Sequence, residues 1–233
     1  MKKLAYILFS VALFSVSAIN ASAQGQSRQV SGFNAISSSG SFNVYVKLDG
    51  NESVKVDADE DIINDIETVV EGSTLNIRFK EHGYHRHHNG RANIYVEARS
   101  LNALTNSGSG SIKVEGTISA GNFKAMLSGS GDITTAVKSD ELHAVISGSG
   151  SITLSGSTGE ANFVISGSGE IDGKKLKTNS SMAMITGSGN VYVAADRTVS
   201  AHITGSGSLI YSGSANVTDS HYTGSGRVSK DGD

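Results

Sequence analysis

Four of the seven histidines lie within seven residues, between two strand-like segments, in a stretch of residues 81–90 called the histidine loop below. They are His82, His85, His87 and His88. Neutral imidazoles are good ligands for Zn²⁺, Cu²⁺ or Ni²⁺, so these four side chains are the candidate metal ligands. The loop also contains Gly83 and Gly90 and lacks the fixed spacing of a structural zinc site. The alternative is therefore a solvated hairpin loop whose charge changes as its histidines protonate together at about pH 6–6.5.

Two acidic residues, Asp132 and Glu170, directly follow copies of the tetrapeptide [Ser/Thr]-Gly-Ser-Gly. If each copy belongs to one layer of a stacked β-structure, ~9.6 Å separates these carboxylates, which is twice the strand spacing. That distance is close to the separation used by inverting glycosidases. No cluster of basic or aromatic residues accompanies them in the repeat, and analogy of fold alone is weak evidence for catalysis. We therefore expect no catalytic residue, no cofactor and no enzymatic activity.

The tetrapeptide itself defines an internal repeat, since successive copies begin 18 to 21 residues apart. Such regular self-similarity is the mark of a repeat architecture. The copies begin at Ser107, Ser128, Ser147, Ser166, Thr186, Thr204 and Thr223.

Apolar residues alternate with polar ones on both sides of each copy, as in Leu127, Gly129, Gly131 and Ile133. A period of two is typical of β-strands, and this parity places both glycines on the inner face and the serines outside. Polar segments such as 138–141, 155–160 and 173–180 are interpreted as connecting turns.

These features predict an all-β fold, a single-stranded β-helix (β-solenoid) with about 19 residues per coil and parallel stacking. Propeller blades require longer units. A sandwich does not require that every unit bend at the same glycine tetrapeptide, a bend called a corner below. The hexapeptide rhythm of left-handed β-helices is missing, so a right-handed winding is expected.

The N-terminal third differs from the repeat region. Residues 42–46, 53–56, 74–79 and 92–96 alternate as longer strands, and Asp61 precedes apolar residues that fit one helical turn. We expect residues 24–100 to form an irregular, strand-rich start and 101–233 the regular coils. Such a start could cap the end of the solenoid.

Residues 1–23 resemble a cleaved signal peptide. Lys2 and Lys3 precede an apolar stretch, and Ala21-Ser22-Ala23 fits a signal peptidase site, with Gln24 as the mature N-terminus. A membrane anchor is the competing interpretation, but the apolar stretch is short and broken by serines. The sequence has no cysteine, so disulfides and lipidation on cysteine are excluded. The mature chain carries 17 basic and 22 acidic residues, which gives no basic surface for nucleic acid.

The mature sequence resembles the head GIN domain family of putative auto-transporter adhesins, a family common in Bacteroidetes. The resemblance rests on Phe33-Asn-Ala-Ile36, Val54-Lys-Val-Asp-Ala58, Leu101-Asn-Ala-Leu104 and the repeated Ser-Gly-Ser-Gly-x-Ile. Members commonly have a proline where this chain has Ser100. The resemblance implies a right-handed β-helix at the cell envelope or surface, and it supplies no catalytic residues to carry over.

The expected function is therefore that of an exported, non-catalytic envelope module that binds a surface glycan or protein through one solenoid face. A structural spacer and a carbohydrate-active enzyme on a β-helix are the alternatives. No transmembrane segment is expected in the mature chain, and its oligomeric state stays open. The tyrosines are scattered in the sequence and are interpreted as strand residues rather than as a sugar-stacking surface.

Overall fold

The computed structural model describes residues 25–80 and 92–232, and this part of the chain consists of strands and turns without an α-helix. The strands are β1 Gln26–Arg28, β2 Ala35–Gly40, β3 Asn43–Leu48, β4 Ser53–Ala58, β5 Ile66–Glu71, β6 Thr74–Phe79, β7 Ala92–Ala98, β8 Ala103–Gly108, β9 Ser111–Gly129, β10 Asp132–Gly148, β11 Ser151–Gly167, β12 Glu170–Gly187, β13 Asn190–Gly205, β14 Ser208–Ser212, β15 Asn216–Gly224 and β16 Arg227–Lys230.

The repeat region forms a β-solenoid, because each long strand pairs in parallel with the next one along the chain. The register advances by 19 residues from Asp132 to Ser151, which is one coil. About seven such turns stack on one another. The predicted all-β solenoid with about 19 residues per coil is confirmed.

Apolar side chains stack in columns inside the solenoid. One column lies two residues before the first glycine of each corner and is buried throughout the middle coils. Each fully buried side chain of this size contributes about 1.5–3 kcal/mol to the stability of the folded state, relative to an exposed one. The column consists of Leu127, Ile146, Ile165, Ile185 and Ile203.

The two glycines of a corner play different parts. Gly131 is buried, as the parity predicts, and a Cβ there would meet the carbonyl oxygen of Gly110 in the coil below. Gly129 is only partly buried, and its φ of 120° lies in the region that L side chains rarely adopt. The corner backbones also hydrogen-bond between coils, since the amide of Asp132 donates to the Gly110 carbonyl at 3.1 Å.

The polar segments predicted as turns belong to strands, so that interpretation was wrong. Residues 138–141 continue β10, and Lys138, Ser139 and Glu141 pair in register with β11. The ladder of hydrogen bonds runs through these polar segments because their inward side chains carry hydroxyl groups that hydrogen-bond to one another. Ser139 Oγ donates to Thr158 Oγ1 at 2.9 Å, and Thr158 Oγ1 donates to the Glu160 carbonyl at 3.1 Å.

The N-terminal strands build coils whose spatial order differs from their order in the chain. β2 pairs in parallel with both β6 and β8, and β3 pairs in parallel with both β7 and β9. The coil made by β2 and β3 therefore lies between the β6–β7 coil and the β8–β9 coil. Its corner, Ser39-Gly40-Ser41, carries Phe42 where later coils have the second glycine.

Antiparallel strands cover the outer edge of the β6–β7 coil. β4 pairs with β7 and β5 pairs with β6, while β1 adds to β4. Arg28 on β1 donates to the carbonyls of Ile66 at 2.7 Å and Ile63 at 3.1 Å, and burial lowers the pKa of its guanidinium. The predicted helical turn is limited to residues 60–65, where the amide of Ile63 donates to the Asp59 carbonyl at 3.0 Å.

Candidate functional site

Two tyrosines stack on the outer face of the N-terminal coils. Tyr45 on β3 lies opposite Tyr95 on β7 in the parallel ladder, so both rings point away from the core. The ring centroids are 5.4 Å apart with planes 20° apart, and the residues are 40 % and 42 % exposed. Contiguous exposed apolar surface often marks an interaction site, and a tyrosine ring adds a polar hydroxyl at its end.

The tyrosine pair lines a depression of about 450 Å³ on this face, called the tyrosine face below. Both signs of charge surround the rings. Lys113 on β9 lies opposite Tyr45, and the next outward positions on β3 and β7 carry a lysine and an acid. The depression is lined by Tyr45, Val46, Lys47, Tyr95, Val96, Glu97, Lys113 and Glu115.

Hydrogen bonds between side chains hold the surroundings of the tyrosine face in place. On one side of the pair, Asn43 Nδ2 donates to Asn93 Oδ1 at 3.3 Å, and Ser111 Oγ donates to Asn43 Oδ1 at 3.1 Å. On the other side, Ser53 Oγ donates to Glu97 Oε2 at 2.9 Å. The face therefore combines exposed aromatic surface with oriented amide, carboxylate and ammonium groups.

This combination suits a ligand with both apolar and hydroxylated surface. An aromatic ring offers apolar contact area with a polar hydroxyl at its end, and a few placed polar groups fix the orientation of a ligand in a pocket. A sugar presents C–H groups on its faces and hydroxyls at its rim, so it matches both components.

A second groove of about 590 Å³ runs across several coils of the repeat region. Hydroxyl, lysine and aspartate side chains line it together with glycine backbone, and the side chains include those of Ser119, Lys138, Asp140, Thr158 and Lys177. It is larger than the tyrosine face but has no aromatic ring in its lining. We therefore favour the tyrosine face as the candidate site.

The residues singled out in the sequence are placed differently. Asp132 and Glu170 lie in one outer column with Ser151 between them, so their predicted spacing of two coils is confirmed. Both are exposed. The four predicted metal ligands, His82, His85, His87 and His88, lie outside the described residues.

Sequence reasoning missed the tyrosine pair. Tyr45 and Tyr95 are 50 residues apart in a region without a repeat, so only the pairing of β3 with β7 brings them together. The prediction that these tyrosines are strand residues is confirmed, but the sequence did not indicate that the two rings stack on each other.

Another missed feature could have been found. His202 and His221 are 19 residues apart and each precedes a corner in the same pattern, His-x-Thr-Gly-Ser-Gly. Because 19 residues make one coil, the sequence alone places these two imidazoles side by side.

The fold and the site define a β-solenoid protein of the repeat class with a polar, aromatic outer face. The family model described as "Putative auto-transporter adhesin, head GIN domain" matches residues 32–215, and the chain belongs to this family. The resemblance predicted from the sequence is thereby confirmed. No curated protein matches the sequence significantly.

Three solved structures with the same fold come from Bacteroides and Parabacteroides species. The chain is similar to a putative adhesin from Bacteroides fragilis NCTC 9343, with 21 % identity, a TM-score of 0.81 and coverage of 89 % of this chain and 96 % of that one. It is similar to a putative lipid binding protein from Parabacteroides distasonis ATCC 8503, with 24 % identity, a TM-score of 0.71 and coverage of 91 % and 97 %. It is also similar to a putative adhesin from Parabacteroides merdae ATCC 43184, with 19 % identity, a TM-score of 0.70 and coverage of 91 % and 97 %. At these identities the likeness concerns the fold.

Proposed function

We propose that the mature chain, residues 24–233, is a non-catalytic binding module of the adhesin type that holds a surface glycan on its tyrosine face. The observation that carries the proposal is the stacked, exposed pair Tyr45 and Tyr95 in a depression edged by charged and amide side chains. The family description and two structural neighbours carry the word adhesin, which supports a binding role.

An exported location belongs to the same proposal. Residues 1–23 have the composition of a signal peptide, and the family description names a surface type of protein. Among the described residues, no helix is long and apolar enough to cross a membrane. The net charge and the acidic and basic residues interspersed around the tyrosines do not favour nucleic acid as the partner.

The first test is a screen of the mature protein on a glycan array, followed by titration calorimetry with the best glycan. Tyr45→Ala and Tyr95→Ala should each weaken binding about tenfold or more, since that corresponds to about 1.4 kcal/mol and central aromatic residues are frequent hot spots. Tyr192→Ala is the matched control, because this tyrosine lies in the same outer column but is flanked by Asp172 and Ile210.

Three results would contradict the proposal or redirect it. Unchanged affinity in the double variant of Tyr45 and Tyr95 would remove the tyrosine face as the site. Absence of binding to glycans, peptidoglycan and host matrix proteins would favour the structural spacer. Release of reducing ends from a polysaccharide would favour the enzyme, and Asp132→Asn with Glu170→Gln should then abolish that activity.

A further inference from the structure

A second cluster of chemically capable side chains lies on another part of the solenoid, independent of the tyrosine face. His202 on β13 lies opposite His221 on β15 in the parallel ladder. Their rings are stacked, with centroids 5.2 Å apart and planes 10° apart. These residues precede a Gly-rich corner, whereas Tyr45 follows the corner between β2 and β3 and Tyr95 pairs with it from β7.

A carboxylate completes the cluster. Asp219 comes two residues before His221 on the same strand, so both side chains point to the same face. Asp219 Oδ1 lies 3.1 Å from His221 Nδ1, and Asp219 Oδ2 lies 3.9 Å from His202 Nε2. One carboxylate therefore reaches both imidazoles through different oxygen atoms.

We propose that His202, Asp219 and His221 form a binding site for a divalent transition-metal ion, with Zn²⁺ or Cu²⁺ as the fitting ions. One ligand atom from each of the three side chains lies within 4.8 Å of the others. A tetrahedral Zn²⁺ with bonds of about 2.0–2.1 Å needs ligand atoms about 3.4 Å apart. The distances between ligand atoms must shorten by at most about 1.4 Å. The side chains are 45 %, 56 % and 74 % exposed, so rotation of the side chains can provide this.

The donor set also fits these ions chemically. Two neutral imidazoles and one carboxylate are ligands that Zn²⁺ and Cu²⁺ accept, with Cu²⁺ the tighter binder by the usual order of stability. Three protein ligands leave at least one coordination position for water or for a group from a binding partner. Because β13 and β15 hold the ligands on adjacent coils, the ion would link the two coils.

The chain contains a natural control for this geometry. His143 Nε2 lies 2.9 Å from Glu141 Oε1, which repeats the carboxylate–x–His pair on one strand. In the neighbouring coils, however, His143 has Lys124 and Asn162 beside it rather than a second histidine. His143 and Glu141 should therefore lack the third ligand that the proposed site has.

The test uses titration calorimetry with Zn²⁺ and with Cu²⁺ on mature protein purified without a histidine tag. All proteins in the test carry asparagine in place of the four histidines of the histidine loop, so that these side chains cannot bind the ions. The protein with these four substitutions alone is called the background protein. This background protein should bind one ion per chain. His202→Asn, His221→Asn and Asp219→Asn should each weaken binding about tenfold or more, whereas His143→Asn should not. Electron paramagnetic resonance of the Cu²⁺ complex should report two coordinating imidazole nitrogens.

The inference is overturned by any of three outcomes. The first is that the background protein binds neither ion. The second is that the double variant of His202 and His221 binds as tightly as the background protein. The third is that His143→Asn lowers the affinity as much as the site variants do. Circular dichroism checks that the variants keep their strands. Because all three ligands are exposed, we expect the fold to survive each single substitution.

Discussion

At the second glycine of each corner, the space for a side chain is taken by the backbone of the coil below. A Cβ at Gly131 would overlap the Gly110 carbonyl oxygen and would come within 2.6 Å of Asn106 Nδ2. These contacts are with backbone and with a buried amide, which cannot move aside easily. Close stacking of the corners therefore requires glycine for reasons of space. At Gly129 the backbone angle is a second requirement, in addition to a close approach of the Gly108 carbonyl oxygen.

Gly131→Ala should lower the free energy of unfolding by about 1–3 kcal/mol, because overpacking of a tight contact costs this much. Gly121→Ala is the matched control, since a Cβ there would have Asp140 Oδ2 at 3.8 Å as its nearest neighbour. That control should stay within about 0.5 kcal/mol of the wild type. Urea denaturation followed by circular dichroism measures both, and equal stability of the two variants would refute the steric explanation.

At the scale of elements, the corner between β2 and β3 shows how the interior of the solenoid changes near its N-terminal end. Phe42 occupies the position of the second glycine between β2 and β3 and is completely buried. Its ring lies 4.7 Å from that of Phe79 on β6. A large side chain fits here, where later coils have room only for glycine, so the interior changes from stacked backbone to packed rings.

Phe42→Ala should destabilise the protein by about 3–5 kcal/mol, the usual cost of removing a buried phenylalanine ring. The comparison is Phe163→Ala in the middle of the solenoid, where the ring is also buried. Similar losses in thermal denaturation would show that the N-terminal coils are as well packed as the central ones. A loss below about 1 kcal/mol for Phe42→Ala would mean that this end contributes little to stability.

The whole molecule is stabilised mainly by contacts between neighbouring coils. β10, β11 and β12 each pair along their length with a strand on both sides. Among the described residues, β15 pairs with β13 and β16 pairs with β14, and most of their side chains are exposed. The stability of such a chain is approximately a sum of terms for single coils and their interfaces.

Hydrogen exchange should therefore be graded along the solenoid. Amides of β10–β12 should exchange at least about tenfold more slowly than those of β15 and β16, since terminal repeats open without the rest. Mass spectrometry of peptic peptides, corrected for intrinsic exchange rates, measures this gradient. Equal protection in all coils would show instead that the solenoid opens as one cooperative unit.

The repeat region was largely predictable, whereas in the N-terminal third the strands were predictable but their spatial order was not. The period of 19 residues and the alternation around Gly131 predicted the coil and its inner face, because every coil obeys the same local rule. The turn interpretation of 138–141 failed because polar sequence hid a continuous ladder satisfied by buried hydroxyls.

The candidate site was harder to predict because it depends on the order in which the N-terminal coils stack. The coil of β2 and β3 lies between coils that come later in the chain, and no local pattern specifies that insertion. Tyr45 and Tyr95 therefore escaped prediction. His202 and His221 could have been paired from their spacing alone, because they belong to the regular coils.

Because the corners of neighbouring coils stack in register, a whole coil can be inserted or removed without changing how the other coils stack. Five strand steps separate the coil of Tyr45 from the coil of His202, which corresponds to about 24 Å along the stack. Gain or loss of one 19-residue coil between them would change that distance by about 4.8 Å and leave every corner with an identical neighbour. Relatives of different length would then present the tyrosine face and the His202 site at separations that differ by multiples of about 4.8 Å.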